Sequence, residues 1–170
     1  PSTYTELYFR FAMHMRDFVA AAFFGWYSGA SGVGGTIRMK TVGSGIASVE
    51  VYDGTTLRAT SSLFSMLIDE WHVFEIHVKI AASGNFDVKF DGTTIITFVG
   101  ATNAQSSIDR INISPWGFVL ELIYFDDIAV NDTSGAVDNS WCGDGGVLAA
   151  LVPDGAGTYS DLTASAGNAW

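Results

Sequence analysis

The sequence predicts an all-β protein, a two-sheet antiparallel sandwich, and three observations carry that prediction. Apolar and polar residues alternate with period two in at least six segments, Asp-Gly pairs separate several of them, and no segment of useful length shows a helical period. The 19 glycines and 12 phenylalanines, set among Thr/Val/Ile-rich runs, suit tight turns and packing between pleated faces. At 170 residues and 48% hydrophobic content the chain fills one sizeable core, so a second globular domain is not expected. A closed barrel is the structural alternative.

The elements follow in order. From Leu7 the alternation is strict: Leu7, Phe9, Phe11, Met13 and Met15 point one way, and Tyr8, Arg10, Ala12, His14 and Arg16 the other. Ile37 and Met39 alternate with Arg38 and Lys40, and Val49 and Val51 with Glu50 and Tyr52. Asp53-Gly54 then reads as a type I′ hairpin turn, whose two central positions need positive φ. From Trp71, the residues Phe74, Ile76, Val78 and Ile80 face in, while Glu75, His77 and Lys79 face out. A return strand with Phe86, Val88 and Phe90 inward leads through Asp91-Gly92 into Thr94 to Val99, which makes a three-stranded meander. Further strands are expected at Ile108 to Ser114 and at Glu121 to Val130. Residues 1–131 thus form the sandwich. Residues 132–170, rich in Gly, Ala, Asp and Ser, contribute one more strand at Val147 to Val152, ended by Pro153, and then an extended arm.

Charge excludes one class of partner. The net charge is −10, all eight Lys and Arg lie within residues 1–110, and residues 111–170 carry only acids. No basic stripe for nucleic acid can be assembled. The acidic end suits a partner with basic patches, or bound cations, or simply maintains solubility. Cys142 is the single cysteine, so no intrachain disulfide forms. Residues 18–37 lack charge but hold five glycines, and read as strand plus loop rather than a membrane span. The sequence as given opens without a signal-peptide pattern, since Pro1 leads directly into a strand-like run.

Catalytic patterns are missing. Glu70 and Glu75 lie five apart, which places them on opposite faces of a strand, and Asp126 and Asp127 diverge as neighbours, so neither pair can flank one glycosidic bond. His72 and His77 are also five apart and cannot share a strand face, which argues against a two-His metal site. His77 beside Glu75 reads as an exposed strand pair. No nucleophile elbow is present, and the glycine-rich stretch Gly29 to Gly35 lacks the Lys-Ser/Thr of a phosphate loop and reads as a flexible loop. The protein is therefore expected not to be an enzyme. Asp126 and Asp127 could furnish hard oxygen ligands for a structural calcium ion, together with the acidic loop Asp138 to Asp144; a turn cap or an Arg partner is the competing role. Trp26, Tyr27, Trp116, Trp141 and Trp170 are the candidate binding or interface anchors, because Trp and Tyr supply large amphipathic contact surfaces. For the run Phe23 to Tyr27, core packing is the stronger expectation. Trp141 and Trp170 sit in a tail too polar to form its own core, and must bury themselves against the sandwich or a neighbouring subunit.

Trp71, Glu75-Ile76-His77-Val78, Gly84 and Val88-Lys89-Phe90-Asp91-Gly92 resemble the central hairpin of concanavalin-A-like lectin/glucanase and laminin-G-like jelly rolls; Ile108 to Ile111 and Tyr124 to Val130 resemble their closing strands. Residues Ile123 to Gly157 are further similar to the C-terminal part of jelly-roll virion proteins of tailed bacteriophages, except that Gly143-Asp144-Gly145-Gly146 stands where that pattern moves directly from Gly-Asp into a strand. The resemblance implies a non-enzymatic virion structural protein, displayed on the particle surface as a capsid decoration, cement or tail-attached module. Its partners would be other virion proteins and its own copies in a homo-oligomer. The alternative is a lectin-like, extracellular module recognising a host-surface glycan.

Overall fold

The computed structural model describes residues 3–17, 22–29, 32–43, 45–116, 123–134 and 139–143. Eleven strands and no helix occur among them. One sheet has the order β11-β1-β7-β8-β9, from strands β1 (Glu6–Met15), β7 (Trp71–Lys79), β8 (Gly84–Phe90), β9 (Thr93–Gly100) and β11 (Ile123–Asp132). The other has the order β10-β2-β3-β4-β5, from β2 (Ala22–Ser28), β3 (Gly32–Gly43), β4 (Ile46–Asp53), β5 (Thr56–Thr60) and β10 (Arg110–Trp116), with the short β6 (Phe64–Ser65) pairing β4. All pairings are antiparallel, so the expected sandwich is what the chain forms.

Alternation builds the core directly. Phe9, Phe11, Met13, Phe74, Ile76 and Val78 of one sheet meet Phe24, Trp26, Ile37, Val49 and Val51 of the other, all fully or nearly fully buried. Aromatic rings cross the gap, with Phe9 4.8 Å from Phe24 and Trp26 5.2 Å from Phe86 between centroids. Such tilted contacts add to the burial of each ring. The β7-β8-β9 meander lies where the alternation placed it.

Three local readings need correction. Phe23 and Phe24 are both buried although adjacent, because the β2-β3 register shifts between Ala22 and Phe24; two residues of β2 oppose one of β3, and the extra residue turns both rings inward. The stretch from Gly32 to Gly35 is strand rather than flexible loop. It is glycine-rich because the Trp26 indole lies on it: a Cβ on Gly34 would meet Trp26 Cδ1 at 2.5 Å, and one on Gly35 would overlap Trp26 Cζ2 and the Tyr52 carbonyl. The third concerns Asp53. The turn at Asp91-Gly92 has positive φ at both residues, 46° and 76°, but in the earlier turn only Gly54 does, at 59°. Asp53 stays in β4, where its buried carboxylate accepts from Arg58 Nη2 at 3.0 Å and from the Ala104 N–H at 3.1 Å.

Candidate functional site

The outward residues of the five-stranded sheet form rows across it. Tyr8 stands between Asn131 of β11 and His77 of β7, Arg10 between Ala129 and Glu75, and His14 between Tyr124 and Trp71. On β8, Asp87 lies opposite His77, and Lys89 opposite Glu75. Period two on β1, β7 and β8 is thus sufficient to bring ionisable and aromatic groups from separate strands onto one surface.

At one end of this face the polar groups satisfy one another. His77 is stacked on Tyr8, with centroids 4.1 Å apart. Its Nε2 lies 2.9 Å from Glu6 Oε1 and its Nδ1 3.0 Å from Asp87 Oδ2. Lys79 Nζ approaches Glu6 Oε2 at 3.1 Å. Burial by itself would raise the Glu6 carboxyl, but hydrogen bonds and charge from Lys79 and His77 together outweigh it and hold the group below its ordinary range. Burial, with the Glu6 charge beside it, pushes the Tyr8 phenol up.

The Glu6 shift sets a pH dependence. A carboxyl depressed in the folded state makes the unfolded chain bind more protons, so stability rises with pH in that range. The contribution is present above the unfolded value of about 4.3 and is lost as pH falls through the lower folded value. Thermal melts across the acid limb are expected to show a shallower decline for Glu6→Gln than for the parent chain.

Over the satisfied end lies a strap, residues 139–143. Asn131 Nδ2 donates to the Ser140 carbonyl at 3.1 Å, and the Cys142 thiol points to the Tyr8 carbonyl at 3.7 Å. The Trp141 ring covers Lys89 Nζ at 3.7 Å and stands edge-on to Tyr8 and His77, 5.5 and 6.0 Å away. His77 under this ring is 7% exposed and Glu75, paired with Lys89, is 6% exposed, which corrects their reading as an exposed pair: they point outward, but not into solvent.

The other end is open. His14 is flanked by Trp71 and Tyr124, with centroids at 5.3 and 5.8 Å, and those two side chains are 52% and 47% exposed. Beneath the outward face, Arg10 Nε, His14 Nδ1 and Glu75 Oε1 are buried without a hydrogen-bond partner. Three of the six such atoms among the described residues therefore share one face. Buried polar atoms are normally paired, so each of these carries a local cost. What this end presents to solvent is the pair of rings, Trp71 and Tyr124.

The residues singled out from sequence are dispersed. Trp26 is fully buried under the glycines of β3 and is withdrawn as a surface anchor, as the core-packing expectation for its run implied. Tyr27 is half-buried, with the Arg110 guanidinium 4.6 Å above its ring. Trp116 ends β10 opposite Ala22 rather than standing in a loop. Trp141 packs on its own sandwich. Trp170, the expected strand at Val147 to Val152 and the two aspartates, Asp138 and Asp144, that bound the expected acidic loop lie outside the described residues. Asp126 Oδ1 accepts the Asp127 N–H at 2.8 Å, and Asp127, at φ 50°, stands 4.0 Å from Arg10. These are the turn-cap and Arg-partner roles; no group of three or more His, Cys, Asp or Glu gathers for a metal among the described residues. The row of His14, Trp71 and Tyr124 was not anticipated from sequence, although alternation had already put His14 on the outward face.

No family model matches the chain, and no curated protein does. Solved structures do. A native heptameric SAP-like pentraxin from Limulus polyphemus superposes with a TM-score of 0.59 at 9% identity, over 75% of this chain and 64% of that one. The chain thus spans less than two thirds of the pentraxin's length. The alginate lyase Aly36B gives 0.54 at 16% identity, over 82% and 72%, and the Trypanosoma cruzi calreticulin globular domain ("T. cruzi") gives 0.51 at 15%, over 78% and 66%. At such identities the likeness is one of fold. The chain is a jelly-roll sandwich of the concanavalin-A-like kind.

Proposed function

We propose that the protein is a non-catalytic carbohydrate-recognition module whose binding face is the open half of the five-stranded sheet. The exposed Trp71 and Tyr124 rings, which flank His14 across three adjacent strands, carry this reading. Sugars present C–H faces that stack on exposed aromatic rings, which this surface offers. Binding is favoured over hydrolysis because the outward positions of β7 read Trp71, Val73, Glu75, His77 and Lys79, with a single carboxylate where a glycosidase strand would carry a set.

A glycan array probed with the parent chain, with and without calcium, tests this; absence of hits in both conditions would sink it. Trp71→Ala is expected to weaken binding of any hit about tenfold or more, ~1.4 kcal/mol or above. Its melting temperature should stay close to the parent's, since half of the side chain is already in solvent.

The second reading, display on a tailed-phage particle as a decoration, cement or tail-attached module, draws on the resemblance of Ile123 to Gly157. It is also favoured by β11, which among the described residues is a sheet edge with Ile128 and Val130 exposed, a surface suited to a neighbouring subunit. Electron microscopy of native particles, together with the mass of the purified chain in solution, tests that placement and the homo-oligomer it implies. The two readings combine in a particle-borne adhesion module.

A further inference from the structure

We infer that residues 147–152 of this chain, which lie outside the described residues, dock along the open edge of the sandwich, pairing with β11 and filling the cleft between β11 and β10. The inference does not rest on the carbohydrate reading. Among the described residues β11 and β10 are each the outermost strand of their sheet, and a bridge between Tyr4 and Ile108 joins the segments that lead into β1 and β10 on that side. Beside the bridge the two sheets part around a cavity of about 410 Å³. Leu7, Phe9 and Ile108 form its floor, and Tyr4, Ile111 and Val130 stand around it. Val130 lies opposite Phe9 in the β1-β11 register, so it shares the inward face of the sheet. It is nevertheless 47% exposed, whereas Phe9 is 1% exposed. An inward apolar side chain left half in solvent on a sheet edge calls for a covering neighbour.

The mouth of the cleft defines the chemistry of that neighbour. Asp109 accepts the Gly29 N–H at 2.6 Å, Asp132 accepts the Ser134 N–H and hydroxyl at 2.8 and 2.7 Å, and the Arg110 guanidinium covers the Tyr27 ring. The charged groups are thus engaged, and an occupant is offered apolar wall together with the outward N–H and C=O groups of β11. An extended peptide with small and branched apolar side chains satisfies both at once. Val147-Leu148-Ala149-Ala150-Leu151-Val152 is such a peptide, and Pro153 after it has no N–H to continue a ladder. Its order reads the same in both directions, and either face of the strand carries one Val, one Leu and one Ala. Either register and either direction therefore puts the same three side chains into the cleft.

The tether is long enough. The Cys142 thiol lies 3.7 Å from the Tyr8 carbonyl of β1, and Gly143, at φ 68°, turns the chain at the end of the strap. A position beyond β11 is two strand spacings from β1, ~10 Å, and the link from Gly143 to Val147 spans up to about 13 Å. So short a link holds the segment at an effective concentration on the order of millimolar, which favours it over a second copy for the same edge.

Amide exchange followed by NMR on the full chain tests this. In an edge strand alternate N–H groups face the paired neighbour and the others face the open side. In the parent, the β11 amides turned away from β1 should exchange about a hundredfold slower than in the double variant Leu148→Asp with Leu151→Asp, and their protection should hold across a roughly tenfold range of protein concentration. Unchanged amides in the β7-β8-β9 meander show that the variant folds, and Leu148→Met with Leu151→Met should keep the parent pattern. A second measurement needs no variant: methyl Overhauser contacts in the parent should join Val130 to residues 147–152. Fast exchange of the open-side amides in the parent would overturn the inference, and so would protection that the two aspartates leave untouched. Protection that grows with concentration would also overturn it, because the edge would then belong to a second copy. If the double variant fails to fold, the methyl contacts decide, and their absence sinks the idea.

Discussion

Gly35→Ala is expected to destabilise the protein by ~3 kcal/mol or more, lowering its melting temperature by about 6–12 °C. Gly35 sits in the middle of the six-stranded sheet, opposite Trp26 on β2 and Asp53 on β4. A Cβ there would overlap Trp26 Cζ2 and the Tyr52 carbonyl oxygen. Neither obstacle can yield cheaply: the carbonyl belongs to a paired strand, and the indole is 0% exposed, held by Phe24 and Phe86. Gly92→Ala is the control. Gly92 has φ of 76° but open space around it, so its cost is conformational only, about 1–2 kcal/mol. A double-mutant cycle of Gly35→Ala with Trp26→Leu should show coupling, since the smaller side chain vacates the volume the new methyl needs.

Asp53→Ala should cost ~3–5 kcal/mol in denaturant unfolding. The Asp53 carboxylate is 1% exposed and receives the Arg58 guanidinium at 3.0 Å and the Ala104 N–H at 3.1 Å. Without it, a guanidinium whose Nε is already buried without a partner loses its counter-charge, and the 101–107 connector loses its tie to the end of β4. Asp53→Asn keeps an acceptor for the Ala104 N–H and removes only the charge, so its loss should be smaller. Arg58→Met should recover part of the loss in Asp53→Ala, because removing both charges avoids leaving one buried alone.

The strands rich in alternating Phe, Ile and Val against charge were legible because each is locally consistent: β1 and the β7-β8-β9 meander lie as alternation placed them. Phe23 was not, since a bulge breaks the count of two and is set by the register against β3 rather than by the run itself. Glycines from 32 to 35 resembled a loop for a related reason. What demands Gly34 and Gly35 is a ring eight and nine residues upstream on a neighbouring strand.

For the site, the sequence by itself determined which residues point away from the core, among them Tyr8, Arg10, His14, Glu75, His77 and Lys89, because side-chain direction in a strand follows from the pleat alone. It also determined the absence of a carboxylate set on β7. Only the tertiary structure decided which of those outward groups are covered and which are open. That division depends on where residues 139–143 come to rest, in a contact between Trp141 and Lys89 more than fifty positions apart, and on strand register, which places His14 between Trp71 and Tyr124. Outward direction is a local property of the chain, whereas exposure is a property of everything packed around it.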